Sequence, residues 1–489
     1  MTQRRPLLLR LATRALAVVT AAALTPRSEA QSNESAIRVA CVGASITAGF
    51  GTADRATQSY PAQLAKLLGS GYDVRNFGAS GCTMLKKGDR SYWSVKAYEE
   101  ARALDPQVVV IDLGGNDSKA VNWVHRAGFA ADARAMVESF RALPAKPRVL
   151  LCLPMPSFKP PSPDINDDMI TKELIPALRR VGFETGAELI DLHTAFADHR
   201  AWFADGVHPN AEGAALAARI VGDTIALRID AGFDFERNLA AVGIAAAVKS
   251  FHGYRQLDFA MAGGRQCTVV RPVVPAAGRP IVWRGEFFGH QPQTDLALLQ
   301  RGYHVVYVNA KDMFGAPPAM EIWDQFHALL QRTGLTGKII LIGMSRGGLY
   351  CYHWAARHPE SVAALYGDAP VCDFKSWPLA LGKSKAPRGR DAEALLKAYG
   401  FKDESEALAY AHNPVDNLAP LARAGIPLLH VVGQADTVVP VEENTDLVEQ
   451  RYRALGGTIE VIRKPGVEHH PHSLENPAPI VDFILRFAK

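Results

Sequence analysis

Apolar positions along this chain come in short continuous runs separated by longer amphipathic stretches. Between residues 37 and about 228 the runs are "IRVACV" (37–42), "YDVRNF" (72–77), "QVVVIDL" (107–113), "RVLLCL" (148–153) and "AELIDL" (187–192). Between them lie "YPAQLAKLLG" (60–69), "FAADARAMVESFRAL" (129–143) and "MITKELIPALRRVG" (169–182), whose apolar residues recur at helical spacing. Unbroken Val/Ile/Leu runs alternating with helices predict a parallel sheet covered on both faces.

The rhythm lapses near residues 229–250 and then resumes. "QLDFAMAG" (256–263) and "QCTVVRPVV" (266–274) predict an opening hairpin. "RPIVWR", "YHVVYVN", "KIILIGM", "VAALYGDA", "PLLHVVG" and "TIEVIRK" follow, again spaced by helical stretches. The expectation is therefore two α/β domains, at 36–230 and 251–489, joined by a linker at 231–250. Residues 372–412, including "SWPLALGKSKAPRGRD", interrupt the second series and are expected to form a cap or lid.

Composition agrees with two packed cores: 489 residues, 48% hydrophobic and 21% charged. The formal charge of +4 is local, because residues 1–30 carry five Arg and one Glu. The rest of the chain is balanced, which argues against a nucleic-acid partner or attraction to anionic membranes. Those first 30 residues have the pattern of an export signal. A basic start, "MTQRRPLLLR", precedes the short apolar core "ALAVVTAAAL", and Ser28-Glu29-Ala30 offers a cleavage site. The core is too short to span a bilayer. The expectation is a secreted or periplasmic protein processed near Ala30, with the export route, Sec or twin-arginine, left open. Six Cys (41, 82, 152, 267, 351, 372) show no metal-like spacing and read mostly as small buried thiols, with a disulfide in an oxidising compartment left open and no pair named by the spacing.

Four loops at strand ends carry candidate chemistry. "VACVGASITAGF" places Ser45 after the first strand, "NFGASGCT" (76–83) contains Gly81, "IDLGGNDS" (111–118) contains Asn116, and "FADGVHPN" (203–210) contains Asp205 and His208. In a doubly wound sheet the C-terminal strand ends converge on one crevice. There Ser45 would attack an ester carbonyl, His208 would relay the proton, and Asp205 would fix the imidazole tautomer. The N–H groups of Ser45 and Gly81 and the Asn116 amide would hold the oxyanion. This order resembles the SGNH (GDSL-type) hydrolase family over about 190 residues. Ser45, Gly81, Asn116 and His208 match its four named positions, and Asp205 matches its usual acid. The first motif reads Gly-Ala-Ser here, where the family has Gly-Asp-Ser. The resemblance implies a flavodoxin-like parallel sheet and an esterase, lipase, thioesterase or carbohydrate deacetylase. Trp93 and Trp123 lie near the site loops and read either as sugar platforms or as packing residues.

A second constellation lies in the other half. "IILIGMSRGGLYCYHWA" (339–355) sets Ser345 in Gly-x-Ser-x-Gly between an apolar run and a helix. Asp436 follows the strand in "VVGQADTVVP", and "KPGVEHHPHSL" supplies His469, His470 and His472 after the last strand. The order Ser, Asp, His resembles the α/β-hydrolase family over residues 250–489. His469 best matches that family's base, whereas spacing to Pro477 would favour His470. The N–H groups of Arg346 and Glu286 are the candidate oxyanion donors.

The combined expectation is a secreted serine esterase with two triads, removing acetyl and in one domain feruloyl or methyl groups from polysaccharide, without cofactor or metal. Two alternatives stay open: one active esterase beside a non-catalytic glycan-binding module, or a periplasmic lipid esterase or thioesterase. Oligomeric state is not legible.

Overall fold

The computed structural model describes residues 36–487, so the expected signal segment and its cleavage near Ala30 lie outside the described residues. The described residues from Ile37 onward cluster as one compact unit. It contains two sheets with separate cores, one made by side chains up to Ile225 and the other by side chains from Phe235 onward.

The first sheet is built from β1 (Ile37–Gly43), β2 (Tyr72–Gly78), β3 (Val108–Asp112), β4 (Arg148–Leu153) and β5 (Glu188–Asp191). All neighbours are parallel, in the order β2-β1-β3-β4-β5. Every residue of β3 is buried, as two covered faces require. One face packs Ala40, Val42, Val109, Ile111 and Leu151 under the helix Phe129–Arg141; the other packs Val39, Cys41, Val110 and Leu150 under the helix Ala211–Ile225. The helical stretch expected at 169–182 is interrupted. A π turn at Ile170–Leu174 precedes Pro176, whose missing N–H and bulky ring prevent an unbroken ladder.

The second sheet has nine strands: β6 (Ala247–Phe251), β7 (Tyr254–Ala260), β8 (Gln266–Arg271), β9 (Ile281–Arg284), β10 (His304–Val308), β11 (Ile339–Met344), β12 (Val362–Asp368), β13 (Leu428–Gly433) and β14 (Ile459–Lys464). Their order is β14-β13-β12-β11-β9-β10-β8-β7-β6. β9 to β14 run parallel, β8 is antiparallel to β10, and the swap of β9 and β10 puts β9 at the centre, between β11 and β10. Together with the strand–turn–helix around Ser345, this is the topology of an α/β hydrolase with one extra edge strand. The fold class is thus α/β in both halves, as the strand runs indicate.

Residues 231–250 are not a plain linker. Phe235–Ala241 is a helix whose Phe235 and Leu239 enter the second core, and β6 begins at Ala247. Both elements are too short for periodicity to reveal, and β6 buries only Phe251. Residues 372–412 contain the helices Arg390–Tyr399 and Glu404–Ala409, which pack Leu395 and Ala407 against Phe314, Leu349 and Phe374. All six cysteines are buried and unpaired. No helix among the described residues is long and apolar enough to cross a membrane.

Candidate active sites

The C-terminal ends of β1, β2 and β3 meet around Ser45. β1 ends at Gly43, where a Cβ would lie 1.9 Å from Thr47 Oγ1 and 2.8 Å from the Asp112 carbonyl, so only glycine fits. Thr47 Oγ1 donates to Asp112 Oδ2 at 3.2 Å, tying the turn after β1 to the end of β3. Burial pushes the Asp112 carboxyl up to about 6, against the opposing pull of that hydrogen bond. Asn76 Nδ2 donates to the Thr47 carbonyl at 2.8 Å, and Ala79 N–H to the Gly43 carbonyl at 2.9 Å. Ser45 is therefore held by both neighbouring strands although Ala44 has no carboxylate to offer.

Asp205 and His208 sit on one turn ahead of the helix Ala211–Ile225, which Asn210 caps. Asp205 Oδ1 accepts the N–H groups of Val207 and His208 at 2.9 and 2.8 Å. Its Oδ2 lies 2.5 Å from His208 Nδ1, and His208 Nε2 lies 2.8 Å from Ser45 Oγ. Partial burial would raise the Asp205 carboxyl, but the His208 side chain and the two backbone donors outweigh it and bring it down to about 2. Gly51, at φ +91°, lets its loop pass under His208; a Cβ there would lie 2.6 Å from the Pro209 carbonyl and 2.9 Å from His208 Cβ.

Gly81 has φ +80°, and a Cβ there would meet only Arg90 Cδ at an ordinary 3.8 Å, so conformation rather than crowding selects glycine. The N–H groups of Ser45 and Gly81 have no acceptor among the described residues. Asn116 is 5% exposed and donates one amide hydrogen to the Cys82 carbonyl at 3.1 Å, leaving the other. Ser45, Asn116, Pro154, Ile170 and Val207 line a cavity of about 40 Å³.

Asp117 was not singled out in the sequence. It is fully buried and accepts the Met84 and Leu85 N–H groups at 2.9 and 2.8 Å, so it pins the Gly81 loop to the Asn116 loop. Burial pushes its carboxyl up to about 7, against those two donors. Its position beside Asn116 in "GGNDS" was the available signal. Trp123 packs on Phe129 in the core, and Trp93 bonds the Met84 carbonyl at 3.0 Å under the Lys86 ammonium. Trp123 is thus buried in the packing, and Trp93 is half-buried.

At the second site Ser345 follows β11 with φ +45°, a strained conformation for a side chain with a Cβ. Its backbone is clamped at both ends: its N–H donates to the Asp368 carbonyl at 2.9 Å, and its carbonyl accepts Val371 N–H at 2.8 Å. A Cβ on Gly343 would lie 2.8 Å from the Gly347 carbonyl, and one on Gly348 would lie 2.7 Å from the Val371 carbonyl. Asp436 Oδ1 accepts the Val438 and Val439 N–H groups, while Oδ2 lies 2.7 Å from His469 Nδ1. His469 Nε2 is 3.0 Å from Ser345 Oγ.

The three histidines separate cleanly. His469 faces Ser345, His470 is exposed, and His472 is buried with Nδ1 2.8 Å from Asp368 Oδ1. The N–H groups of Glu286 and Arg346 have no acceptor among the described residues, and the Glu286 nitrogen lies 3.2 Å from the Cβ position of Gly347. Their side chains pair at 3.4 Å, and burial pushes the Glu286 carboxyl up despite the guanidinium. Arg346 also reaches Asp312 at 3.2 Å and Asp391 of the cap at 3.6 Å. No motif marks Arg284. This residue is fully buried at the end of β9, 3.6 Å from Asp295, and donates to the Phe287 and His290 carbonyls. It shapes the loop that carries Glu286.

Residues 41–216 match the GDSL-like Lipase/Acylhydrolase family and form a domain of that kind. An acetylxylan esterase of Xylanibacter ruminicola is 45% identical over 210 residues in the N-terminal half, covering 39% of this chain and 44% of the relative. The mitochondrial palmitoyl-protein thioesterase ABHD10 of Homo sapiens is 29% identical over 157 residues, 29% of this chain and 47% of the relative. The chain thus spans less than half the length of these curated relatives. Dipeptidyl peptidase 4 of Porphyromonas gingivalis superposes with a TM-score of 0.36 at 15% identity, over 48% of this chain and 35% of that one. The second fold assignment rests on strand order instead.

Proposed function

We propose that this chain is an exported carbohydrate esterase with a serine triad in each half, and that the first half removes acetyl groups from a polysaccharide of the xylan type. The observation that carries the reading is the cavity of about 40 Å³ beside Ser45. A space that small suits the methyl of an acetyl group. The 45% identity to an acetylxylan esterase supports the same choice.

In this mechanism Ser45 Oγ attacks the acetyl carbonyl as His208 Nε2 takes its proton. Asp205 holds Nδ1 protonated and stabilises the imidazolium. The carbonyl oxygen, now negative, is met by Ser45 N–H, Gly81 N–H and the free hydrogen of Asn116 Nδ2. The imidazolium returns the proton to the departing sugar oxygen. Water then attacks the acyl carbonyl as His208 takes its proton, and His208 passes that proton to Ser45 Oγ as acetate leaves. Ser345, His469 and Asp436 would run the same cycle, with Arg346 and Glu286 N–H as oxyanion donors. An ester with a larger acyl part, such as feruloyl, is proposed there because Phe287 stands exposed in the loop beside Arg346. Intact hydrogen bonding through all three residues counts against a module that only binds glycan.

The test is acetate release from acetylated and deacetylated xylan by wild type and Ser45→Ala. Release by the wild type, lost in the variant, is expected. Equal release by a protein lacking both Ser45 and Ser345 hydroxyls would end the proposal.

A further inference from the structure

His469, His470 and His472 form a cluster that the esterase reading does not use as a cluster. Their ring centroids lie 5.0 Å (469 to 470), 4.8 Å (469 to 472) and 4.7 Å (470 to 472) apart. The ring planes cross at 74°, 79° and 85°. One ring nitrogen from each lies within 4.8 Å of the other two. In a tetrahedral site with metal–nitrogen bonds of about 2.0–2.1 Å, each centroid stands about 3.2 Å from the ion and about 5 Å from the next. The cluster already has that spacing between rings.

The outer contacts fit as well. His469 Nδ1 meets Asp436 and His472 Nδ1 meets Asp368, at 2.7 and 2.8 Å. A carboxylate on the far nitrogen fixes the tautomer so that Nε2 keeps its lone pair, which is how metal-binding imidazoles are oriented. The exposed His470 is free to turn its ring toward both. His290 stands further off, 6.0 Å from His472.

We propose that these three histidines bind a divalent transition-metal ion such as zinc, and that the bound ion switches off the Ser345 site. The ion takes the Nε2 lone pair that His469 otherwise offers to the Ser345 hydroxyl. The hydroxyl proton then stays on oxygen and no nucleophile forms. The switch rests on reading Ser345 and His469 as a working pair; the binding does not.

Zinc is titrated calorimetrically onto metal-free full-length protein, and aryl acetate turnover is followed in a Ser45→Ala background. One zinc should bind per chain and suppress turnover, with chelator restoring it. His470→Ala should keep its zinc-free turnover but lose at least about tenfold in zinc affinity and in sensitivity to inhibition. His470→Cys, which restores a soft ligand, should recover binding. Equal affinity in wild type and His470→Ala would overturn the proposal, as would zinc bound with undiminished turnover. If no Ser345 turnover exists to inhibit, the esterase reading of that half fails and the calorimetric comparison alone decides the metal site.

Discussion

Asp205 holds His208 from three residues away, through a 2.5 Å contact to Nδ1, with its side chain half exposed to solvent. At the other site Asp436 reaches His469 from 33 residues away and is almost wholly buried. The same Asp–His contact is built once as a single turn and once from the ends of two strands.

Asp205 has a depressed carboxyl, at about 2 against an ordinary 3.8. Its stabilising contribution is therefore present above about pH 4 and disappears as pH falls through about 2. Asp205→Asn should lower stability at neutral pH by a small margin, since the group is well solvated. The gap to wild type should close below about pH 2, read from denaturant midpoints across pH.

Asn116→Ala should cost on the order of 100-fold in turnover at the Ser45 site, as loss of one oxyanion donor does. KM for a small acetate ester should change little. Retained turnover would remove Asn116 from the oxyanion role.

The histidine series should separate by role. His469→Ala should abolish the Ser345 activity with modest loss of stability. His472→Ala should leave the buried Asp368 carboxylate short of a partner and destabilise by about 3 kcal/mol. His470→Ala should do neither. Thermal melts and turnover on the same three proteins decide it.

Gly343→Ala should damage the turn that presents Ser345, because its new methyl meets backbone on the following helix rather than a flexible side chain. Loss of Ser345 activity and a lower melting temperature are expected, with Ser45 activity intact at temperatures where the protein stays folded.

Separate cores predict separate activities. Ser45→Ala should spare the ester cleavage run by Ser345, Ser345→Ala should spare acetate release, and only the double variant should be inert. Complete inactivity of the Ser45 single variant toward every ester would favour a second half that only binds.

Much of this was legible because the parallel strands bury both faces and so read as unbroken apolar runs, and because both serines sit in short motifs directly after such runs. β6 was not legible. Its pairing is made by backbone groups, and only Phe251 is buried. The helix Phe235–Ala241 spans too few residues to show a period. Arg284, Asp295 and Asp117 are charged groups inside the fold, and a sequence does not say which charges find a partner there. The contact between Arg346 and Asp391 joins residues far apart in the chain through the cap, which only the folded chain brings together.

The six cysteines, each sealed in a core without a sulfur partner, set the terms on which this protein can be made. Nothing in residues 36–487 waits for an oxidant, a shuffling catalyst or a particular glutathione balance. Chain folded in a reducing medium should reach the same structure as chain folded under oxidising conditions, and reductant should leave its melting temperature where it was.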